Sequence, residues 1–286
     1  MPLAFLPSPA RSAWHLGPLP LRAQALFVVA GIVLAIVIAD RRYRAAGGCR
    51  GVIVDVAAWA VPVGLIPAGI GALLSHAQPG AWEAIRTWDS VIGLPGAVAF
   101  GAAGAWLGCR QARRIAGRRR TRVKLAQVAD AVAPAILFGN ALAAAGTWFS
   151  QSGYGRPSSL WWAVEISPAR RPPGLENFAT FQPVFMYQAL WDVAAGIAVL
   201  WAARRLGQAG MRAFALACGA YGAGGFSLYW LGIAHSPAVL GVRAGALGDA
   251  VLVIAAVAYL ARARRRRSTS SQVAGKVSLE RSRPVM

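Results

Sequence analysis

One repeated pattern restricts this chain more than any other feature: long apolar segments, nearly free of charge, separated by short blocks of arginine. The segments cover residues 23–39, 52–74, 91–109, 125–147, 184–203, 213–234 and 246–261. Each approaches the ~20 apolar residues that a helix needs to cross a hydrocarbon core about 30 Å thick. Only 14% of the residues are charged, against roughly 25% in soluble domains, so lipid is the better solvent for much of this surface. The expected fold is all-α: a polytopic membrane protein with seven transmembrane helices. The first segment carries no charge between Ala23 and Ala39. The second holds Asp55, Pro62 and Pro67, which predicts a kink or a locally opened backbone. In the third, Gly96, Gly101, Gly104 and Gly108 let helices approach closely in lipid.

The arginine blocks orient the helices. Arg41, Arg42, Arg44 and Arg50 follow the first segment, and Arg110, Arg113, Arg114, Arg118, Arg119, Arg120, Arg122 and Lys124 follow the third. Arg204, Arg205 and Arg212 follow the fifth, while Arg262, Arg264, Arg265, Arg266, Arg267, Lys276, Arg281 and Arg283 follow the seventh. The remaining cations are Arg11, Arg22, Arg86, Arg156, Arg170, Arg171 and Arg243. Cytoplasmic loops carry the excess of Lys and Arg. The N-terminus is therefore expected outside and the C-terminus in the cytoplasm. A net charge of +20 does not argue for nucleic acid, because the cations sit between apolar spans rather than along one face.

Residues 1–262 read as a single membrane domain, with an extracytoplasmic loop, residues 148–183, between spans four and five. Residues 263–286 read as a disordered basic cytoplasmic tail. The start of the chain, with Pro2, Pro7, Pro9, Pro18 and Pro20, lacks the continuous apolar run of a cleavable signal peptide. Cys49, Cys109 and Cys218 form no disulfide framework. His15, His76 and His235 are far apart and fall at membrane edges, so no metal site is expected, and no motif calls for a cofactor.

Chemistry is concentrated in the polar, Trp- and Pro-rich stretch from Trp148 to Gln188. A connection this long between packed helices is usually functional. Its words are Trp148-Phe149, Gly155-Arg156-Pro157, Trp162 to Glu165-Ile166, and Ala179-Thr180-Phe181. Outside it stand Leu6-Pro7-Ser8-Pro9, Trp14-His15-Leu16-Gly17-Pro18, Asp55 to Pro62, and Asp130-Ala131-Val132-Ala133-Pro134. In this order the chain resembles the prolipoprotein diacylglyceryl transferases over most of residues 6–260. The resemblance implies a multi-pass protein of the bacterial cell membrane that moves diacylglycerol from phosphatidylglycerol to the lipobox cysteine of prolipoproteins. Membrane lipid, phosphatidylglycerol above all, and prolipoprotein signal peptides are the partners it implies.

At several positions the chain departs from the family pattern. The family's Gly-Arg-x-x-Asn reads Ala143-Ala144-Ala145-Gly146-Thr147, so Ala144 replaces arginine and Thr147 replaces asparagine. Ser152 stands for a glutamate. Gln182 and Gln188 stand for the histidine and glutamate of His-Pro-x-x-Leu-Tyr-Glu, and Gln24 for a tyrosine. Gly225 and Tyr229 take the places of an arginine and an acidic residue in span six. Arg243 and Arg156 remain as candidate contacts for a lipid phosphate, with Gly155, Pro157 and Tyr187 as loop scaffold; no catalytic residue is assigned. Arg243 equally suits snorkelling to the interface, and Arg156 suits fixing the loop. Asp55 and Asp130 are expected to pair with basic blocks or cap helices. Trp161, Trp162, Tyr154 and Phe149 read as an outer aromatic belt. Two functions stay open: the transferase, and a catalytically degenerate relative that binds lipid or lipoprotein. A transporter, supported only by kinked and Gly-rich helices, is a third.

Overall fold

The computed structural model describes residues 6–9, 12–16, 19–77, 100–112, 123–206, 210–232, 238–239 and 242–281. A short hairpin of β1 (Ala13–Leu16) and β2 (Leu19–Arg22) leads into α1 (Ala23–Ala45) and α2 (Val52–Ala77). Residues 100–112 are helical (α3). Then come α4 (Leu125–Ser150), the paired strands β3 (Val164–Glu165) and β4 (Thr180–Phe181), α5 (Val184–Leu206) and α6 (Arg212–Tyr229). A second small hairpin, β5 (Ala238–Val239) and β6 (Val242–Arg243), precedes α7 (Ala244–Arg281).

Four of these helices are long and apolar enough to cross a membrane: Ala23–Ala45, Leu125–Ser150, Val184–Arg205 and Ala246–Arg265. Val52–Leu65 is a shorter apolar helix. Their outward residues fit a lipid surround: Val33 on α1, Leu190 and Ile197 on α5, and Ile254 on α7 are each more than half exposed. The central helix is α4, with α1 packed along one side and α5 and α6 along another. At the crossing of α1 and α4 a Cβ on Gly31 would lie 2.4 Å from the Gly139 carbonyl oxygen. Only glycine allows the two backbones this close, as in lipid, where dispersion rather than water drives packing.

Two interior clusters flank α4. Tyr43, Val56, Cys109 and Val128 belong to one, joining α1 to α4, and Leu137, Val199 and Ala217 belong to the other, joining α4 to α6. Asp130 is buried within α4, where its carboxylate accepts hydrogen bonds from the backbone N–H groups of Met211 (3.1 Å), Ala213 (3.0 Å) and Phe214 (3.3 Å). It caps the first turn of α6, a helix other than its own, and so satisfies donors that would otherwise be orphaned. Asp55 is exposed in the first turn of α2.

The C-terminal segment differs from the sequence expectation. α7 continues to Arg281, through residues expected to form an unstructured tail. Its Arg, Ala, Lys, Gln and Leu content favours helix, and the next proline is Pro284. At 38 residues and 1.5 Å per residue, it exceeds a hydrocarbon core by roughly 27 Å.

Candidate functional site

The connection between α4 and α5 is folded around its own small core. Val164, Ile166 and Phe181 are almost fully buried, with Trp148, Tyr154, Leu175 and Phe185 packed on them. Pairing of Val164 with Phe181 and Glu165 with Thr180 closes the loop on itself. Leu6 joins the far side of β3, donating its N–H to the Ala163 carbonyl at 2.9 Å and accepting from Glu165 N–H at 3.1 Å. The loop leaves α4 through Gln151, which adopts the left-handed conformation at φ 50°. The Gln151 amide oxygen accepts from both the N–H and the hydroxyl of Ser167. Arg170 reaches back to the Ser150 carbonyl and the Ser12 hydroxyl. Burial pushes the Tyr154 hydroxyl up from its ordinary range, and it donates to the Arg170 carbonyl at 2.7 Å. A cavity of about 330 Å³ lies here, lined in part by Ser8, Ser12, Gln151, Glu165 and Arg170.

The turn Gly155-Arg156-Pro157 is stitched to two helix ends. Gly155 N–H donates to the Gln182 carbonyl at 2.7 Å, Gln182 N–H to the Arg156 carbonyl at 3.0 Å, and Arg156 N–H to the Leu231 carbonyl at 3.1 Å. This backbone net holds the start of α5 and the end of α6 beside the loop. The Arg156 side chain stays exposed. Tyr187 accepts a hydrogen bond from the Trp162 indole at 2.6 Å, tying the loop to the first turn of α5. Trp161 is 68% exposed, on the outside of the loop.

At the positions where the resemblance implies polar or ionisable groups the side chains are neutral, and several have local partners. The Thr147 hydroxyl donates to the Ala144 carbonyl one turn back, at 2.7 Å. Ser152 shares a 2.7 Å hydrogen bond with Ser150. Gln24 lies against Gly146, where α1 meets α4. Gln188 donates its amide to Asp192 at 3.0 Å, and Asn140 of α4 donates to the same oxygen at 2.7 Å. Asp192 is fully buried, and its other oxygen has no partner. The side-chain oxygen of Gln182 is likewise buried without a partner. A Cβ on Gly225 would lie 2.4 Å from the Asp249 carboxylate, so that carboxylate occupies the space an arginine side chain would need.

Gln182 and Arg156 are thus brought together, and Asn140 of α4 and Gln188 of α5 meet on Asp192. Backbone pairing sets Arg243 against Ala238 in the β5–β6 hairpin, but its side chain lies outside the described residues. So do the side chains of His15, His76 and His235. Among the described residues no three of His, Cys, Asp and Glu gather as a metal site would require. The Asn140–Asp192 contact escapes sequence reasoning because it joins two helices. The Gln188–Asp192 half was accessible from its i, i+4 spacing.

The chain matches the family model described as prolipoprotein diacylglyceryl transferase over residues 11–262. It is 40% identical over 270 residues to phosphatidylglycerol–prolipoprotein diacylglyceryl transferase 2 of Streptomyces coelicolor, covering 91% of this chain and 81% of that one. The Mycolicibacterium paratuberculosis enzyme of the same name is 38% identical over 297 residues, covering 97% and 67%. Transferase 1 of Streptomyces coelicolor is 37% identical over 275 residues, covering 93% and 76%. A family match across most of the chain, joined by identities of this size over nearly its full length, leads to one conclusion: the chain belongs to the prolipoprotein diacylglyceryl transferase family.

Proposed function

We propose that this protein acts on phosphatidylglycerol and prolipoproteins as a diacylglyceryl transferase, with its loop site at the outer face of a bacterial plasma membrane. Colinear identity with transferases of that name carries the reading. The arrangement that accompanies it is a single membrane domain over residues 1–262 with seven spans, the N-terminus outside and the C-terminus cytoplasmic. The arginine blocks and the outward apolar faces support it. In the reaction the lipobox sulfur forms a bond to a glycerol carbon of the lipid. The bond from that carbon to the phosphate oxygen breaks, glycerol phosphate leaves with the electron pair, and the thiol proton ends on the departing phosphate. Arg243 and Arg156 are the groups we assign to the phosphate, where a cation stabilises charge on the leaving group. The loop scaffold of Gly155, Pro157 and Tyr187 holds Arg156 in place.

One observation favours a second reading, a catalytically degenerate relative that binds lipid or lipoprotein without transfer. Ala144, Thr147, Ser152, Gln182, Gln188 and Gly225 offer no ionisable group to take the thiol proton or meet the phosphate. Losing one such contact costs about 10²–10³ in rate, and losing several costs more, though less than additively. Complementation of a strain depleted of its own diacylglyceryl transferase separates the two. Rescue that Arg243→Ala abolishes supports the transferase. Absence of rescue by protein shown to be inserted in the membrane supports binding alone.

A further inference from the structure

The cavity of the loop is walled by two stretches far apart in sequence. Ser8 and Ser12 come from the N-terminal segment, and Gln151, Glu165, Ser167 and Arg170 from the connection between α4 and α5. The N-terminal wall is tied in place: Leu6 bridges to β3, the Ser8 hydroxyl donates to the Glu165 carbonyl, and Arg170 donates to the Ser12 hydroxyl at 3.1 Å. The space is about 330 Å³. That reaches the lower end of the roughly 300–1,000 Å³ of small-ligand sites, room for a short stretch of peptide. Most polar groups around it already bond one another. The Gln151 amide oxygen takes both donors of Ser167, and the two terminal nitrogens of Arg170 go to the Ser150 carbonyl and to Ser12. Two groups stay open among the described residues: the Glu165 carboxylate, which has neither a hydrogen bond nor an ion pair, and Arg170 Nε. Acid and cation stand on the same cavity without pairing to each other.

We propose that this cavity receives the polar stretch of a prolipoprotein that follows its lipobox cysteine. This rests on the reading of the loop as the place where lipid and prolipoprotein meet. The two open groups select the ligand. An acyl chain would leave both without a partner, which is costly for charged groups. A phosphate would meet Arg170 but be repelled by Glu165. A peptide carries N–H donors and carbonyl acceptors along one strand. Its N–H groups meet the Glu165 carboxylate and a carbonyl meets Arg170 Nε, both as charge-assisted hydrogen bonds. A secretory leader is apolar before its processing site, so a cavity lined with serine, glutamine and charge suits the residues beyond it.

The test titrates the full-length protein, purified in detergent without lipid, with two fluorescent lipobox peptides. One ends at the cysteine as its amide; the other continues through several serine, glycine and alanine residues. The longer peptide should bind about tenfold more tightly. Glu165→Gln, which leaves the main-chain bonds of β3 intact, should remove most of that advantage. Ser12→Leu, which fills the cavity from the other wall, should do the same, and it decides the matter if Glu165→Gln fails to fold. Glu176→Gln, on the same loop but exposed and outside the cavity, should change neither affinity. Equal affinity of the wild type for the two peptides overturns the proposal. So does an advantage of the longer peptide that survives Ser12→Leu, or that Glu176→Gln removes equally. Adding phosphatidylglycerol separates this proposal from the transferase reading. Absence of transfer with the length advantage intact contradicts the transferase and supports the cavity assignment. Transfer to both peptides with the same kcat/KM contradicts the cavity assignment and supports the transferase.

Discussion

The two ends of α4 have opposite chemistry. At the basic end Asp130 is buried, ionisable and fully engaged, closing the first turn of α6. At the loop end Ala144, Thr147 and Ser152 are neutral, and the hydroxyls of Thr147 and Ser152 close on near neighbours. A buried charge holds helices together at one end, and small neutral side chains stand at the other. The backbone net around Gly155, Arg156 and Gln182 is nevertheless complete. We propose that constraint on shape and constraint on chemistry have separated in this chain: the scaffold words remain while the ionisable groups that the resemblance implies are replaced.

Substitutions at the two ends sharpen this contrast. Asp130→Ala should cost the most, about 3 kcal/mol, because three N–H groups at the start of α6 lose their acceptor. Unfolding in detergent measures it, and Asp130→Asn should recover much of the loss. At the loop end, Ala144→Arg with Thr147→Asn, Gln182→His and Gln188→Glu should raise lipid transfer by about 10²-fold. An unchanged rate would mean that more than these side chains separates the site from its relatives. Gln188→Leu takes one of two donors from buried Asp192 and should destabilise by about 1–2 kcal/mol. Gln188→Glu alone sets two carboxylates within hydrogen-bonding distance, where they share one proton. That variant should be more stable in acid and lose stability as pH rises through release of the shared proton. Thr147→Val should be smallest, within about 0.5 kcal/mol, since its hydroxyl only bonds back to Ala144.

Much of this architecture is legible in the sequence because hydropathy acts locally. The apolar segments opening at Ala23, Leu125, Val184 and Ala246 coincide with helices long enough to span a bilayer. The family resemblance read from the sequence is borne out by the family match and the full-length identities. What escaped depends on contacts between distant residues. The pairing of Val164 with Phe181 lies inside a proline-rich stretch with no strand periodicity to announce it. Asp130 reads as a cap for its own helix or a partner for arginine, but which helix it caps depends on where α6 begins. The helical course of residues 263–281 was obscured because a charged, serine-containing tail resembles a disordered one in composition.

We propose that the loop site of this chain transfers lipid despite its neutral side chains. The most direct measurement is transfer of labelled diacylglycerol from phosphatidylglycerol to a lipobox peptide by the purified, reconstituted protein. A thioether-linked product that disappears in Arg243→Ala is the predicted result. No product from folded, inserted protein, while a relative with the full set of charged residues turns over in the same vesicles, would contradict it.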